Sequence, residues 1–314
     1  MGNGPFAVPA FDALADAGHD IAAVVVRPAV GGKSRGGPPP QPVRDWAVGR
    51  GLPIHDPASA NDPAFVATLR EFSADLLVVC DYGQILAPAT LDATPRGGVN
   101  LHGSLLPRHR GAAPVQWAVL SGDDVAGVSV IHMTPRLDAG PVVTTASTPV
   151  GRETAGELEN RLAVLGVQPT LAAVDAVMDA PAGDAVGDVQ DASAVTKAPR
   201  LKKSDGAIDW GRSAAEIDAH VRGMRPWPVA FTLYRPRPDK PPIRLAVRSV
   251  ALTDDPVDDQ TAPGEIRGGN RFLVAAADRW VEITDVQPAG KKPMSGTDVL
   301  RGHPPPDGSR LYAD

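Results

Sequence analysis

The runs DIAAVVV at residues 20–26 and ADLLVVC at residues 74–80 constrain this chain most. Each is apolar at consecutive positions, so both faces of the strand it forms must be covered, as in a parallel strand held between layers of helices. The segments around them carry helical spacing. AVPAFDALADAGH is one such segment. TAGELENRLAVLGVQPTLAAVDAVMDA is a stronger one, opened by Thr154 with Glu157 three residues on, a pair that can cap each other's backbone N–H groups. Alternating strand and helix signals from residue 1 to about residue 181 predict a doubly wound, Rossmann-like α/β domain.

Beyond residue 183 the periodicity fades into a polar stretch that reads as a linker over 186–203. A short helical segment, SAAEIDAHVRGM, follows, and then β-like pieces IRLAVRSVAL, RFLVAAA and WVEITDV set apart by Pro, Gly and Asp. This second pattern predicts a small β-barrel of the OB-like kind. The expected organisation is therefore a catalytic α/β domain over 1–185, the linker, and a β-barrel domain over 204–314. A chain of 314 residues is long enough for two such cores. Its 33 Pro and 32 Gly make 65 of 314 residues, below the level that marks disorder, so many turns are expected rather than an unfolded chain.

The single Cys80 excludes an internal disulfide framework and reads as a buried strand residue, with no cationic neighbour in sequence to activate it. No apolar run reaches membrane-spanning length, and no basic-then-apolar leader opens the chain, which predicts a soluble, cytoplasmic monomer without a membrane partner. His109 and His132 lack metal-ligand company, so no metal is expected. From residue 195 onward there are 19 Lys and Arg against 16 Asp and Glu, net +3, which leaves 12 against 21, net −9, before it. That split points the C-terminal part toward an anion.

The stretch VNLHGSLLPRHRGAAP, residues 99–114, carries the chemistry. It reads as a short strand running into a loop, and Asn100 and His102, two apart, share one face of that strand. A carboxamide beside an imidazole suits a carbonyl carbon that becomes tetrahedral, since the amide donates to the developing oxyanion and the imidazole manages a proton or a charge. Asp138, in RLDAGPVV after the strand GVSVIHM, is the carboxylate available to hold the imidazole. Spacing alone leaves other roles open. Asn100 could close a turn through its own backbone, and His102 could be a buried, hydrogen-bonded histidine.

VNLHGSLLPRHRGAAPVQWAVLSGD followed by GVSVIHMTPRLDAGPVV resembles the core of the folate-dependent formyltransferases, with Asn-x-His-x-Ser-x-Leu-Pro and a downstream Leu-Asp-x-Gly. The resemblance extends to GPFAVPAFDAL, to DYGQIL at 81–86, to IDWGRSAAEIDAHVRGMRPWPVAFT and to VQPAGKKPMSGTDVLRG. The last two stretches are similar to the branch of the family that appends a barrel-like RNA-binding domain.

The resemblance implies that Asn100, His102 and Asp138 are the catalytic trio. Ser104, Leu105, Leu106 and Pro107, with Tyr82, Gly83, Ile85 and Leu86, would line the folate site. The implied reaction moves the formyl group of 10-formyltetrahydrofolate to the α-amino group of initiator methionyl-tRNA, leaving the tetrahydrofolate carrier, with no metal and no covalent enzyme intermediate. Asn100 and His102 would stabilise the oxyanion. Asp138 would orient His102 and favour its charged form. Ser104 could equally be a loop-capping hydroxyl. Arg108 and Arg110 either lie near the acceptor end of the tRNA or fix their loop. Lys291 and Lys292 would meet phosphate, or else form a solvated pair. Lys33 and Arg35, in the Pro- and Gly-rich stretch 31–42, match in position a family loop that reaches the acceptor stem, although this one is richer in proline and poorer in lysine.

Three departures from the family pattern stand out. Asp81 takes the place of an alanine before Tyr-Gly, and His109 that of an aromatic between two arginines. The family's chains open on an apolar strand ahead of the Gly-containing turn, so roughly five to eight apolar residues are expected upstream of Met1. Two other readings are weaker: a formyltransferase or formyl hydrolase acting on a small molecule, which would not need the C-terminal motifs, and an RNA-binding protein with an inactive catalytic domain, which the intact trio opposes.

Overall fold

In this computed structural model the described residues are 1–29, 40–237 and 239–313. Lys33 and Arg35 lie outside them. Contacts divide the chain into two compact units, residues 1–115, 125–149 and 158–199 in the first, and 116–124, 150–157 and 200–314 in the second. The division differs from the one expected at 185–203, because the supposed linker belongs to the first unit as far as Pro199.

The first unit alternates as its sequence predicts. α1 (Val8–Asp16), β1 (Val24–Val25), α2 (Pro42–Gly49), β2 (Ile54–His55), α3 (Pro63–Glu71), β3 (Leu77–Val79) and α4 (Pro88–Leu91) lead to β4 (Gly98–His102). Pro within the first turn of α1 to α4 fits the helix start, where its missing N–H has no partner to lose. After α5 (Pro114–Leu120), which runs into the second unit, come β5 (Val125–His132) and β6 (Val142–Pro149). β1 pairs in parallel with β2, and β3 with β4, whereas β5 and β6 are antiparallel, so the sheet is mixed rather than wholly parallel.

The sheet is also in two pieces, β1–β2 and β3–β4–β5–β6. Residues Met1 to Asn3 bridge them: the Met1 amine donates to Val78 O at 2.7 Å, Gly2 N to Val25 O at 3.0 Å and Cys80 N to Met1 O at 3.0 Å, while Asn3 accepts Arg27 N–H at 2.7 Å and donates to Tyr82 O at 2.6 Å. Below this bridge a cavity of about 290 Å³ is lined by Val24, Val25, Leu77, Val78, Phe11 and Val174. Burial pushes the Met1 amine down to about 5. Burial likewise drives the Cys80 thiol well up, with Asp81 adding to the effect, so this cysteine is an inert strand residue.

The long helical segment becomes two helices, α6 (Ala155–Leu165) and α7 (Val167–Asp179), bent by 42°. The break falls at Gly166, where a Cβ would sit 3.0 Å from the Leu101 side chain, and Pro169 has no N–H to continue the ladder. Thr154 and Glu157 cap the start reciprocally, at 2.8 and 3.3 Å. Among the described residues no single helix is long and apolar enough to cross a membrane.

The second unit opens with α8 (Ala214–Gly223), capped by the Ser213–Glu216 box. β7 (Phe231–Tyr234), β8 (Ile243–Pro256), β9 (Ile266–Arg267), β10 (Leu273–Ala275), β11 (Arg279–Pro288), β12 (Met294–Ser295), α9 (Gly296–Gly302) and β13 (Leu311–Tyr312) follow. The antiparallel sheet runs β13-β7-β8-β11-β10-β9, and an antiparallel bridge between Glu265 and Arg310 brings its two edges together. That contact nearly closes the barrel that the β-like pieces anticipated and leaves little open sheet edge.

Candidate active site

Asn100 and His102 lie on the one-residue-in-two face of β4, whose parallel partner β3 is in register at Val79↔Asn100. β4 is the strand at which the parallel and antiparallel halves of the sheet meet. His102 is buried, and its Nε2 lies 3.0 Å from the carbonyl of His109. A carbonyl only accepts, so Nε2 carries the proton. The other nitrogen, Nδ1, faces Asp138 Oδ1 at 3.7 Å, with the two side chains 6% and 9% exposed. Both ring nitrogens thus face acceptor oxygens, and only the doubly protonated ring can donate to both. The 3.7 Å separation exceeds a hydrogen bond and leaves slack for tightening when substrate is present.

Asp138 is fixed from its other oxygen, which accepts Gly111 N–H at 2.9 Å. Asn100 differs from both. Its half-buried carboxamide has no hydrogen-bond partner among the described residues, so its donors are available to a bound molecule. The structure therefore brings the three residues named from sequence to one place, with one free amide, one imidazole and one carboxylate.

The loop after β4 is held by groups the sequence analysis did not single out. Ser129 on β5 accepts Leu106 N–H at 3.0 Å and donates to Ser104 O at 2.8 Å. The Ser104 hydroxyl donates to Arg108 O at 2.6 Å and is buried, so it caps the loop, and what this residue offers a ligand is backbone. Leu105 lies against Gly127, where a Cβ would come within 2.6 Å of it, and Leu106 is buried while Pro107 is half-buried. In the loop after β3, Tyr82 and Leu86 are core residues packed with Met1, Val25 and Leu77. Gly83 adopts φ 76°, and Ile85 is 62% exposed. Leu137, next to Asp138, is 56% exposed. These two side chains are the uncovered apolar surface on the site's loops. Asp81 also faces a second carboxyl: burial raises Glu159, and Asp81 contributes to that rise.

Arg108 is exposed; Arg110 is half-buried and committed, its Nε and Nη2 both donating to Gln190 Oε1, at 3.0 and 2.7 Å. Of the two roles open to it from sequence, the geometry favours fixing the loop. His132 is structural, with Nε2 against Arg96 O and Nδ1 accepting Val186 N–H, each at 3.0 Å. Among the described residues no three His, Cys, Asp or Glu side chains are grouped to hold a metal ion.

In the second unit, Lys291 and Lys292 are exposed beyond β11. They adjoin a cleft of about 470 Å³ lined by Arg225, Arg244, Arg248, Gln287 and Gly290. Arg248 is paired with Asp285 at 2.9 Å, Arg225 donates to Arg248 O at 3.0 Å, and Arg244 lies 3.8 Å over the Phe231 ring. None of the three arginines stood out in the sequence, because Arg225 follows α8 whereas Arg244 and Arg248 lie on β8, farther along the chain.

Residues 1–174 match the Formyl transferase family, and residues 200–304 match the family described as Formyl transferase, C-terminal domain. The chain belongs to the formyl transferase family. Among curated relatives, it is 52% identical over 321 residues to the methionyl-tRNA formyltransferase of Rhodopirellula baltica, covering 100% of this chain and 96% of that one. It is 38% identical over 310 residues to the methionyl-tRNA formyltransferase of Symbiobacterium thermophilum, covering 96% and 91%. Among solved structures, the fold is similar to that of WlaRD, a sugar 3N-formyl transferase crystallised with dTDP and 5-N-formyl-THF (TM-score 0.65, 14% identity, 93% and 97% covered). It is also similar to that of HypX from Aquifex aeolicus in complex with tetrahydrofolic acid (TM-score 0.55, 15% identity, 81% and 43% covered). At those identities the structures speak to the fold alone.

Proposed function

We propose that this formyl transferase moves the formyl group of 10-formyltetrahydrofolate to the α-amino group of initiator methionyl-tRNA. The observation that carries the reading is the unpartnered carboxamide of Asn100 beside a His102 whose Nδ1 faces Asp138. The 52% identity to a methionyl-tRNA formyltransferase over the whole chain supports the choice of acceptor. A folate-type donor suits the loops of 82–86 and 104–107 and the uncovered side chains of Ile85 and Leu137, which offer apolar surface and backbone polar groups to a flat heterocycle.

The donor supplies an activated formyl carbon. The chain's own residues then act on charge. Asn100 Nδ2 donates to the formyl oxygen as negative charge gathers on it, a stabilisation that grows only toward the transition state. His102, held by His109 O, presents positive charge to the same oxygen. Asp138 balances that charge and, through a water, takes up the proton the amine sheds as its nitrogen bonds to carbon. The departing folate nitrogen takes up a proton, so protons balance and no enzyme bond forms.

The arginine-lined cleft and Lys291 and Lys292 support an RNA-backbone role for the second unit, since clustered cations on one face bind phosphates through counterion release. The deciding experiment supplies purified protein with methionyl-tRNA and formyl donor, and follows formyl-methionyl-tRNA. Transfer to free methionine or to water at an equal rate would overturn the assignment of acceptor.

A further inference from the structure

We infer that the stretch 188–198, polar and without periodicity in sequence, is a strap that sets the catalytic geometry, and that Gln190 is the positioning residue for Asp138. The inference rests on the transfer reaction proposed above.

The strap is anchored at both ends. Asp188 exchanges two backbone bonds with Val142 at the start of β6, at 2.8 and 2.9 Å. Thr196 accepts His109 N–H on its hydroxyl at 2.8 Å and Arg110 N–H on its carbonyl at 2.9 Å, and Ala198 N donates to Arg110 O at 2.7 Å. Gly111 leaves room for this approach, since a Cβ there would meet Ala198 O at 2.3 Å. Between the anchors stands Gln190. Its Oε1 accepts two bonds from Arg110, and its Nε2 donates to Asp138 O at 2.9 Å and Gly140 O at 2.7 Å. A carboxamide has two donors and two lone pairs, and all four are used. Its orientation is therefore fixed, because a flip would turn donors toward the guanidinium and an acceptor toward two carbonyls.

The loops so joined are the two that hold the reacting side chains. One gives His109 O to His102 and Gly111 N to Asp138, and the other carries Asp138 itself. Each contains a non-glycine residue in the left-handed region, His109 at φ 58° and Asp138 at φ 49°. Such conformations persist only where their surroundings over-determine them. The His102–Asp138 separation is thus a distance between two unfavourable loops, and Gln190, from outside them, is bonded to both.

Gln190→Glu tests this, because it keeps and strengthens the bonds to Arg110 while turning an acceptor toward Asp138 O and Gly140 O. In the full chain, kcat should fall on the order of 10- to 100-fold, the size of a misplaced catalytic group, with KM for tRNA and folate moving less than about threefold. In an Asp138→Asn background the same change should cost less than about twofold, because the two residues act as a unit. An equal loss in both backgrounds, or an unchanged kcat, overturns the inference. Should Gln190→Glu fail to fold, Arg110→Lys reads the same route through a smaller kcat loss that Asp138→Asn also absorbs; a loss in tRNA KM instead assigns Arg110 to the substrate and overturns it. A wild-type chain that transfers no formyl group sinks the proposed function, not the strap. In that case the ¹⁵N shifts of the His102 ring decide, moving in Gln190→Glu if the strap sets the approach of Asp138 and staying put if it does not.

Discussion

Asn100→Ala separates chemistry from folding, because the carboxamide it removes is bonded to nothing else among the described residues. The residue is half-buried on β4, and its neighbours Val99 and Leu101 make the core contacts of that strand. No internal hydrogen bond is lost and no buried partner is orphaned. The stability change should therefore stay within about 0.5 kcal/mol, or a shift of about 2 °C in melting temperature for a chain of this size. The rate should respond very differently. Losing one oxyanion donor costs on the order of 10²- to 10³-fold, roughly 2.7–4 kcal/mol of transition-state stabilisation. Single-turnover transfer at saturating formyl donor, with a thermal melt of the same preparation, reads both quantities. Turnover within about fivefold of wild type would refute the reasoning, since an oxyanion donor cannot be worth so little. Asp138→Ala provides the contrast. It removes the acceptor of Gly111 N–H and the charge facing Nδ1, so it should lower the rate and the stability together, the latter by roughly 1.5–3 kcal/mol, the worth of a hydrogen bond to a charged group.

Reversing charge at Lys291 and Lys292 should weaken tRNA binding and flatten its salt dependence by about one unit of slope per lost phosphate contact, leaving chemistry on bound tRNA intact; an unchanged slope shows a solvated pair. Burial holds the His220 imidazole below its ordinary value, and its Nε2 has no hydrogen-bond partner among the described residues. The unfolded chain takes up that proton first as pH falls, so stability present above about pH 6.5 declines below it, and His220→Leu should reduce this loss in melts between pH 5 and 7.5. Fusing roughly five to eight Val, Ile or Leu residues ahead of Met1 should fill the slot between β1 and β3 and raise the melting temperature, and an equal melt means the sheet closes without them. The same fusion removes the buried Met1 amine, whose depressed value of about 5 makes stability rise with pH from about 5 to 8, and so should abolish that slope.

The α/β elements were readable because each is a run of like environments. Residues 76–80 are apolar throughout and become β3 and its continuation, and the capping pair Thr154 and Glu157 opens α6 as its spacing demands. The break at Gly166 was not readable, since it depends on Leu101, which is distant in sequence. Nor was the antiparallel turn of the sheet at β5, because burial on both faces looks the same in either direction. At the site, the shared face of Asn100 and His102 follows from the period of a strand, whereas Asp138, thirty-six positions from His102, rested on the family resemblance.

Gln190 left no signal of any kind in the sequence, and the reason is physical. Periodic patterns record burial, which repeats along an element, whereas Gln190 acts through four hydrogen bonds to groups 50, 52 and 80 positions away. A polar side chain with such partners has the same local composition as one facing water, so its segment reads as a linker. What distinguishes the two is satisfaction: a solvated amide can be replaced at almost no cost, whereas an amide whose donors and acceptors are all engaged leaves several part-buried groups unpaired when it is changed. The residues flanking it in the strap supply an internal control. Among the described residues the Asp191 side chain bonds only to Ser193, two positions on, so Asp191→Asn should leave kcat unchanged while Gln190→Glu lowers it, although the two positions are adjacent. Equal losses at both would mean that the strap matters only as folded chain, and that the Gln190 side chain holds nothing in particular.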